Sequence, residues 1–138
     1  MLFNKTLIIG MIVGILPITA QAWEHSMERG VDLYQTLDGN VSVSMVCDPN
    51  SVYGTTVSAV MVGIGSELDM NAPVTFRFPD LISIQATLDH GRISKADNEG
   101  GAWEPLLTGF RTHSAVAVSV GEEAYEVNLG EPMPFSCL

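Results

Sequence analysis

Two cysteines, three histidines, sixteen carboxylates and a scatter of serines are the residues of this 138-residue chain whose types support chemistry. Cys47 and Cys137 stand without a C-x-x-C or H-x-x-x-H pattern beside them, whereas a metal site wants two to four ligands at short spacing. Two cysteines in an exported domain usually pair, so a structural disulfide is expected. A bond closing about 90 residues stabilises by roughly 4–5 kcal/mol on the loop-closure argument, less any strain. The histidines, His25, His90 and His113, share no ligand spacing and read as surface imidazoles. A serine hydrolase needs a nucleophile oriented by a histidine and a carboxylate, yet no serine sits in G-x-S-x-G. Gly63-Ile64-Gly65-Ser66 lacks the strand-to-helix elbow. Acid pairs leave no motif, so two carboxylates at catalytic separation stay open. Glu122-Glu123 and Asp69 fall in turns, where acids are ordinarily solvated. No phosphate-cradling glycine loop is present, and no residue set calls for a cofactor or a metal. Two residues remain as candidate binding groups. Arg77 stands alone on the polar face of an apolar strand, to pair with a neighbouring-strand acid or to anchor an anionic group on a partner. Trp103, with Trp23, offers a contact surface, or else caps one end of a packed core.

The compartment is the clearest message of the chain. A cationic start over residues 1–5 runs into an apolar block, 7–18, and then into Ala20-Gln21-Ala22. That is the pattern of a secretory signal with a small-x-small cleavage site, leaving one domain over 23–138. The block is too short for a membrane span, which needs roughly 20 residues. No cysteine follows to accept a lipid. The location expected is periplasmic or secreted. Without Lys5 the sixteen acids face five cations, a net −11 against −10 for the whole chain. Such a surface repels phosphate backbones and anionic lipid heads, which speaks against nucleic acid and membrane surfaces as partners. Solubility explains the acidity, with a cationic partner as the alternative.

The elements that must hold these residues are short strands. Residues 24–30 are polar with weak helical character. Asp32 to Thr36 and the alternating Val41, Val43, Met45 and Cys47 read as a hairpin around Asp38-Gly39. Residues 56–64 are apolar on both faces, as in a central strand. Val74, Phe76 and Phe78, then Ile82, Ile84, Ala86 and Leu88, give two more period-two stripes. Residues 94–101 are the most loop-like stretch. Pro105 and Gly109 then bracket a short helix from Trp103 to Phe110. Val116, Val118 and Val120, followed by Tyr125, Val127 and Leu129, close the pattern. About seven strands, one short helix and one disulfide predict an all-β antiparallel sandwich or barrel. Asn40-Val41-Ser42 is a glycosylation sequon at an accessible turn, relevant only in a eukaryotic secretory path.

The chain resembles a loose group of small exported bacterial proteins, the VasI-type accessory proteins of type VI secretion clusters and, more distantly, the invasion-associated locus B proteins. The similarity lies in three places. One is a strand ending in cysteine, Val43-Ser44-Met45-Val46-Cys47-Asp48. Another is the strand Phe76-Arg77-Phe78 with its following Pro79-Asp80. The third is a late helix-strand-strand unit running from Leu106-Leu107-Thr108-Gly109 through Tyr125-Glu126-Val127-Asn128-Leu129-Gly130 to Cys137. The chain lacks the group's tryptophan-rich strand after the arginine strand, and its last strand lies close to the final cysteine. The resemblance implies a periplasmic β-sandwich and carries over no catalytic residues.

The residues thus point to a non-enzymatic exported protein that binds a protein at the cell envelope, and the resemblance implies an accessory role in a secretion system. The competing expectation is a small secreted hydrolase or hydrolase inhibitor with an acidic site around 94–101. The oligomeric state is left open. Cleavage after Ala22 gives an exported form starting at Trp23. Intact-mass measurement of material from the cell envelope checks this, and a retained Met1 start refutes it.

Overall fold

The computed structural model describes residues 23–49, 57–80 and 83–137, together with Gly14. The rest of the leader, the start of the strand read from Thr56, and Ile82 lie outside those residues. The described chain forms nine strands and two helices, in the order β1 (Glu24–Glu28), β2 (Val31–Asp38), β3 (Val41–Cys47), β4 (Ala59–Ile64), β5 (Ala72–Arg77), β6 (Ile84–Leu88), β7 (Arg92–Ser94), α1 (Lys95–Asn98), α2 (Trp103–Thr112), β8 (Ala115–Val120) and β9 (Glu123–Asn128). They build two antiparallel sheets, one ordered β1-β2-β3-β4-β7 and the other β6-β5-β8-β9. The architecture is a sandwich.

Period-two alternation explains the layers. Val41, Val43, Met45 and Cys47 of β3 are buried, as are Val74 and Phe76 of β5 and Val116 and Val118 of β8. Each such side chain contributes roughly 1.5–3 kcal/mol when fully buried. The connection from β4 to β5 passes from the first sheet to the second. The β6–β7 connection returns to the first through the His90-Gly91 turn, where Asp89 and Arg92 exchange backbone hydrogen bonds at 2.9 and 3.0 Å.

Nine strands replace the expected seven, and both additions escaped period-two reading for a physical reason. β1 was expected to be a polar, weakly helical stretch. It is instead an edge strand, exposed along its whole length, and an edge has little core face to mark it. What folds it is the turn Arg29-Gly30, with φ of 53° and 82° at its two residues, the geometry of a two-residue hairpin. Glu28 is thereby set opposite Val31. β7 is only three residues long, with Ile93 its one core residue.

Residues 94–101, expected to be a loop, contain the helical turn α1. The Ser94 Oγ accepts from the Asp97 backbone N–H at 3.2 Å and caps it. α2 extends to Thr112, two residues past the expected end. Its buried residues Trp103, Leu106, Leu107 and Phe110 recur at helical spacing and form one apolar face. Phe110 meets Trp23 edge-on at 6.1 Å and Phe76 and Phe78 at 5.8 and 5.1 Å, so α2 bridges the two sheets. The Cys47–Cys137 disulfide is formed, across a separation of 90 residues. It fastens the irregular tail, whose Phe135 packs edge-on against Trp23 at 5.0 Å and Tyr34 at 4.7 Å.

Gly109 shows how tightly α2 is seated. A Cβ there would lie well inside contact distance of Cε2, Cδ2 and Cζ of the Phe78 ring. Alanine in a helix interior normally gains about 1 kcal/mol over glycine, but overpacking a filled core costs about 1–3 kcal/mol. Gly109→Ala is therefore expected to lower stability, while Gly101→Ala, whose nearest neighbour would be 3.6 Å away, changes it little. Thermal unfolding of the two variants checks the contrast.

Candidate functional site

The most distinctive surface is the outer face of the five-stranded sheet. Alternation against the buried core positions turns Val31, Leu33, Gln35 and Leu37 of β2 outward. The same rule turns out Ser42, Ser44 and Val46 of β3, and Ala59, Met61 and Gly63 of β4. None of these ten carries a charge, although 22 residues of the chain do. Leu37 is 72% exposed, and Leu68, which rests on Gly63, is 64% exposed. Two hollows lie along this face. One, of about 490 Å³, is bounded by Glu24, Gln35, Leu37, Ser44, Met61 and Leu68. The other, also about 490 Å³, is bounded by Glu28, Val31, Leu33, Val46, Val57 and Met61. They share Gln35, Ser44 and Met61 and so form one continuous trough, uncharged along its middle, with Glu24 bordering one hollow and Glu28 and Arg29 the other. Solvent exposure of large aliphatic groups over such a trough favours covering it with another apolar surface.

The outer face of the second sheet differs. Arg77, Ala117 and Glu126 lie side by side across β5, β8 and β9, and Thr75, Ser119 and Ala124 form the next row. Arg77 makes no ion pair among the described residues, so the expected pairing with a neighbouring-strand acid is not formed. Its Nε donates to the Ser83 hydroxyl at 3.3 Å. A shallow hollow of about 330 Å³ is bounded by Arg77, Asp80, Ala117 and Glu126. The Tyr125 hydroxyl donates to Glu123, and that bond, followed by some loss of hydration and the carboxylates of Glu123 and Glu67, holds its pKa above the usual value.

Both tryptophans lie in the core. Trp103 is 1% exposed and Trp23 is 5% exposed, so neither presents its ring to a partner. Of the two expectations for Trp103, the structure places it as a core residue.

The titratable groups are dispersed. His25 Nε2 lies 2.7 Å from Asp32 Oδ1, and the His25 ring stacks on Tyr34 at 4.6 Å. Burial first, and the Asp32 carboxylate second, push the Tyr34 phenol above its ordinary pKa. His90 sits on the β6–β7 turn with Nδ1 2.9 Å from Asp69 Oδ1. His113 closes α2, where its backbone N–H donates to the Gly109 carbonyl at 3.1 Å. No group of three or more potential metal ligands forms among the described residues.

The region expected to hold an acidic site uses its acids locally. Asp97 accepts from the Ser94 hydroxyl at 3.0 Å, and Glu99 lies 3.7 Å from Lys95 Nζ. The adjoining hollow is bounded by Asp89, Arg92, Ser94, Asp97 and Asn98; it mixes charges, its Ser94–Asp97 pair is the cap of α1, and no histidine lines it. Among the described residues no helix is long and apolar enough to cross a membrane.

Comparison with protein families, with curated proteins and with solved structures found no match to this chain. Sequence reasoning missed the trough because its ten outward positions come from three strands, and only their pairing register sets them side by side.

Trp103→Ala is expected to cost about 3–5 kcal/mol of folding stability, the range for removing a buried aromatic. Trp103→Phe is expected to cost much less, because the Trp103 Nε1–H has no hydrogen-bond partner to lose. Denaturant unfolding of both variants measures the difference.

Proposed function

We propose that this chain is an exported envelope protein, periplasmic or secreted, that acts by binding protein through the trough on the outer face of its five-stranded sheet. The observation that carries this reading is the exposure of Leu37 and Leu68 over a face whose three central strands turn no charge outward, on a chain of net charge −10. The disulfide fits an oxidising compartment. The likeness to secretion-cluster accessory proteins supports placing the protein among the accessories of such a system. That role needs shape and apolar contact and no catalytic group.

A photo-crosslinking residue placed at 37 in cells is expected to trap a protein adduct. The same residue at Thr75, on the outer face of the other sheet, is expected to trap little. Leu37→Asp should reduce capture by about tenfold or more, as for a central apolar contact, with an unchanged melting temperature because residue 37 is exposed. Equal trapping at 37 and 75 refutes the reading.

A further inference from the structure

We propose that the protein occupying this trough is a second copy of the same chain, the two five-stranded sheets meeting face to face about a two-fold axis that runs along β3. This rests on the reading of the trough as a binding surface and names its occupant.

The strand register supplies the argument. Glu24, Gln35, Ser44, Met61 and Arg92 form one row across the five strands, all on the outer face. The row begins with an acid on one edge strand, ends with a base on the other, and carries no charge between. Neither Glu24 nor Arg92 makes an ion pair among the described residues. A two-fold axis along the central strand exchanges left and right edges, so each Glu24 lies over the partner's Arg92, and each Arg92 over the partner's Glu24. Facing sheets lie about 10 Å apart and cross at about 30°. At an edge strand two spacings of about 4.8 Å from the axis, that crossing displaces the pair by about 5 Å along the strand. The resulting Cα separation of about 11 Å is one that extended glutamate and arginine side chains close.

The same operation serves the apolar groups. β2 of one copy lies over β4 of the other, which brings exposed Leu37 onto the partner's Leu68 beside Gly63. Both leucines are thereby removed from water. The other charges on the rim of the trough, Glu28 and Arg29, are of opposite sign, and Glu122, Glu123 and Glu126 belong to the second sheet and its end turn. At physiological salt the residual repulsion is screened beyond about 8 Å. The face measures about 20 Å by 20 Å, about 800 Å² counted over both copies, which is below the range of stable interfaces and fits a weak, transient one. A micromolar dimer is the expected result.

Sedimentation velocity of the purified protein, over about 5 to 300 µM at physiological salt, brackets a dissociation constant of that order. Wild type is expected to pass from monomer to dimer in this range. E24R and R92E should each weaken the dimer about tenfold or more, because each places two like-charge pairs in the interface. The double variant E24R/R92E restores the pairs with reversed sense and should return to within about threefold of wild type. Both residues are exposed, so folding is kept. E24Q and R92Q, which add no charge, should show the same ordering with smaller effect. A protein still monomeric at the top concentration overturns the proposal, as does a dimer indifferent to the single reversals or a double variant no better than the singles. The mass of the adduct trapped from position 37 separates the two readings. An adduct of twice the chain mass supports the dimer. An adduct with a different protein alone overturns the dimer and leaves the binding surface standing. No adduct overturns both.

Discussion

The structure depends on one side chain reaching both sheets. Phe110, on the buried face of α2, touches Trp23 at the start of the five-stranded sheet and Phe76 and Phe78 of the four-stranded one, each in an edge-on arrangement. Edge-on aromatic pairs add roughly 0.5–1.5 kcal/mol beyond area burial. Because α2 arrives between β7 and β8, this contact also fixes where the last hairpin begins. The close approach of Gly109 to Phe78 leaves the helix no room to slide.

The aromatic cluster continues outward through Trp23 and Phe135 to Tyr34, and from the tail to the disulfide. The Arg111 Nε donates to the Phe135 carbonyl at 2.7 Å, tying the tail to the end of α2 as well. An irregular segment with few backbone bonds of its own is thus held by one covalent bond, one ring and one arginine. The arrangement accounts for burying Trp23, which follows directly on the expected cleavage point and otherwise would be a fraying terminal aromatic.

With the interior face of the five-stranded sheet committed to this core, its exterior is where an unbalanced composition can only be functional or neutral. Charges on this chain are plentiful, yet β2, β3 and β4 place theirs, Asp32 and Asp38, at positions that alternate with the outward row. Acids gather instead on turns, on the edge strand β1 and on the second sheet. A sheet needs no uncharged outer face to fold, since antiparallel sheets commonly present polar groups on their solvated side. The absence of outward charge on β2, β3 and β4 is therefore not a requirement of folding.

The strands β3, β5, β6, β8 and β9 were legible because each buries one face and so carries period two in its residues, as in Val41, Val43 and Met45. The helix α2 was legible from Pro105 and Gly109, and the disulfide from a count of two cysteines. β1 was not legible, because an exposed edge strand obeys no burial pattern, and β7 was too short to show one. The candidate site was less legible still. Leu37, Met61 and Leu68 are far apart along the chain, and Trp103 and Leu37 look alike as single apolar residues beside polar neighbours. Local alternation determines which way a side chain points from its own strand. Only pairing between distant strands decides which outward residues become neighbours, and only packing between layers decides that Trp103 is covered and Leu37 is not.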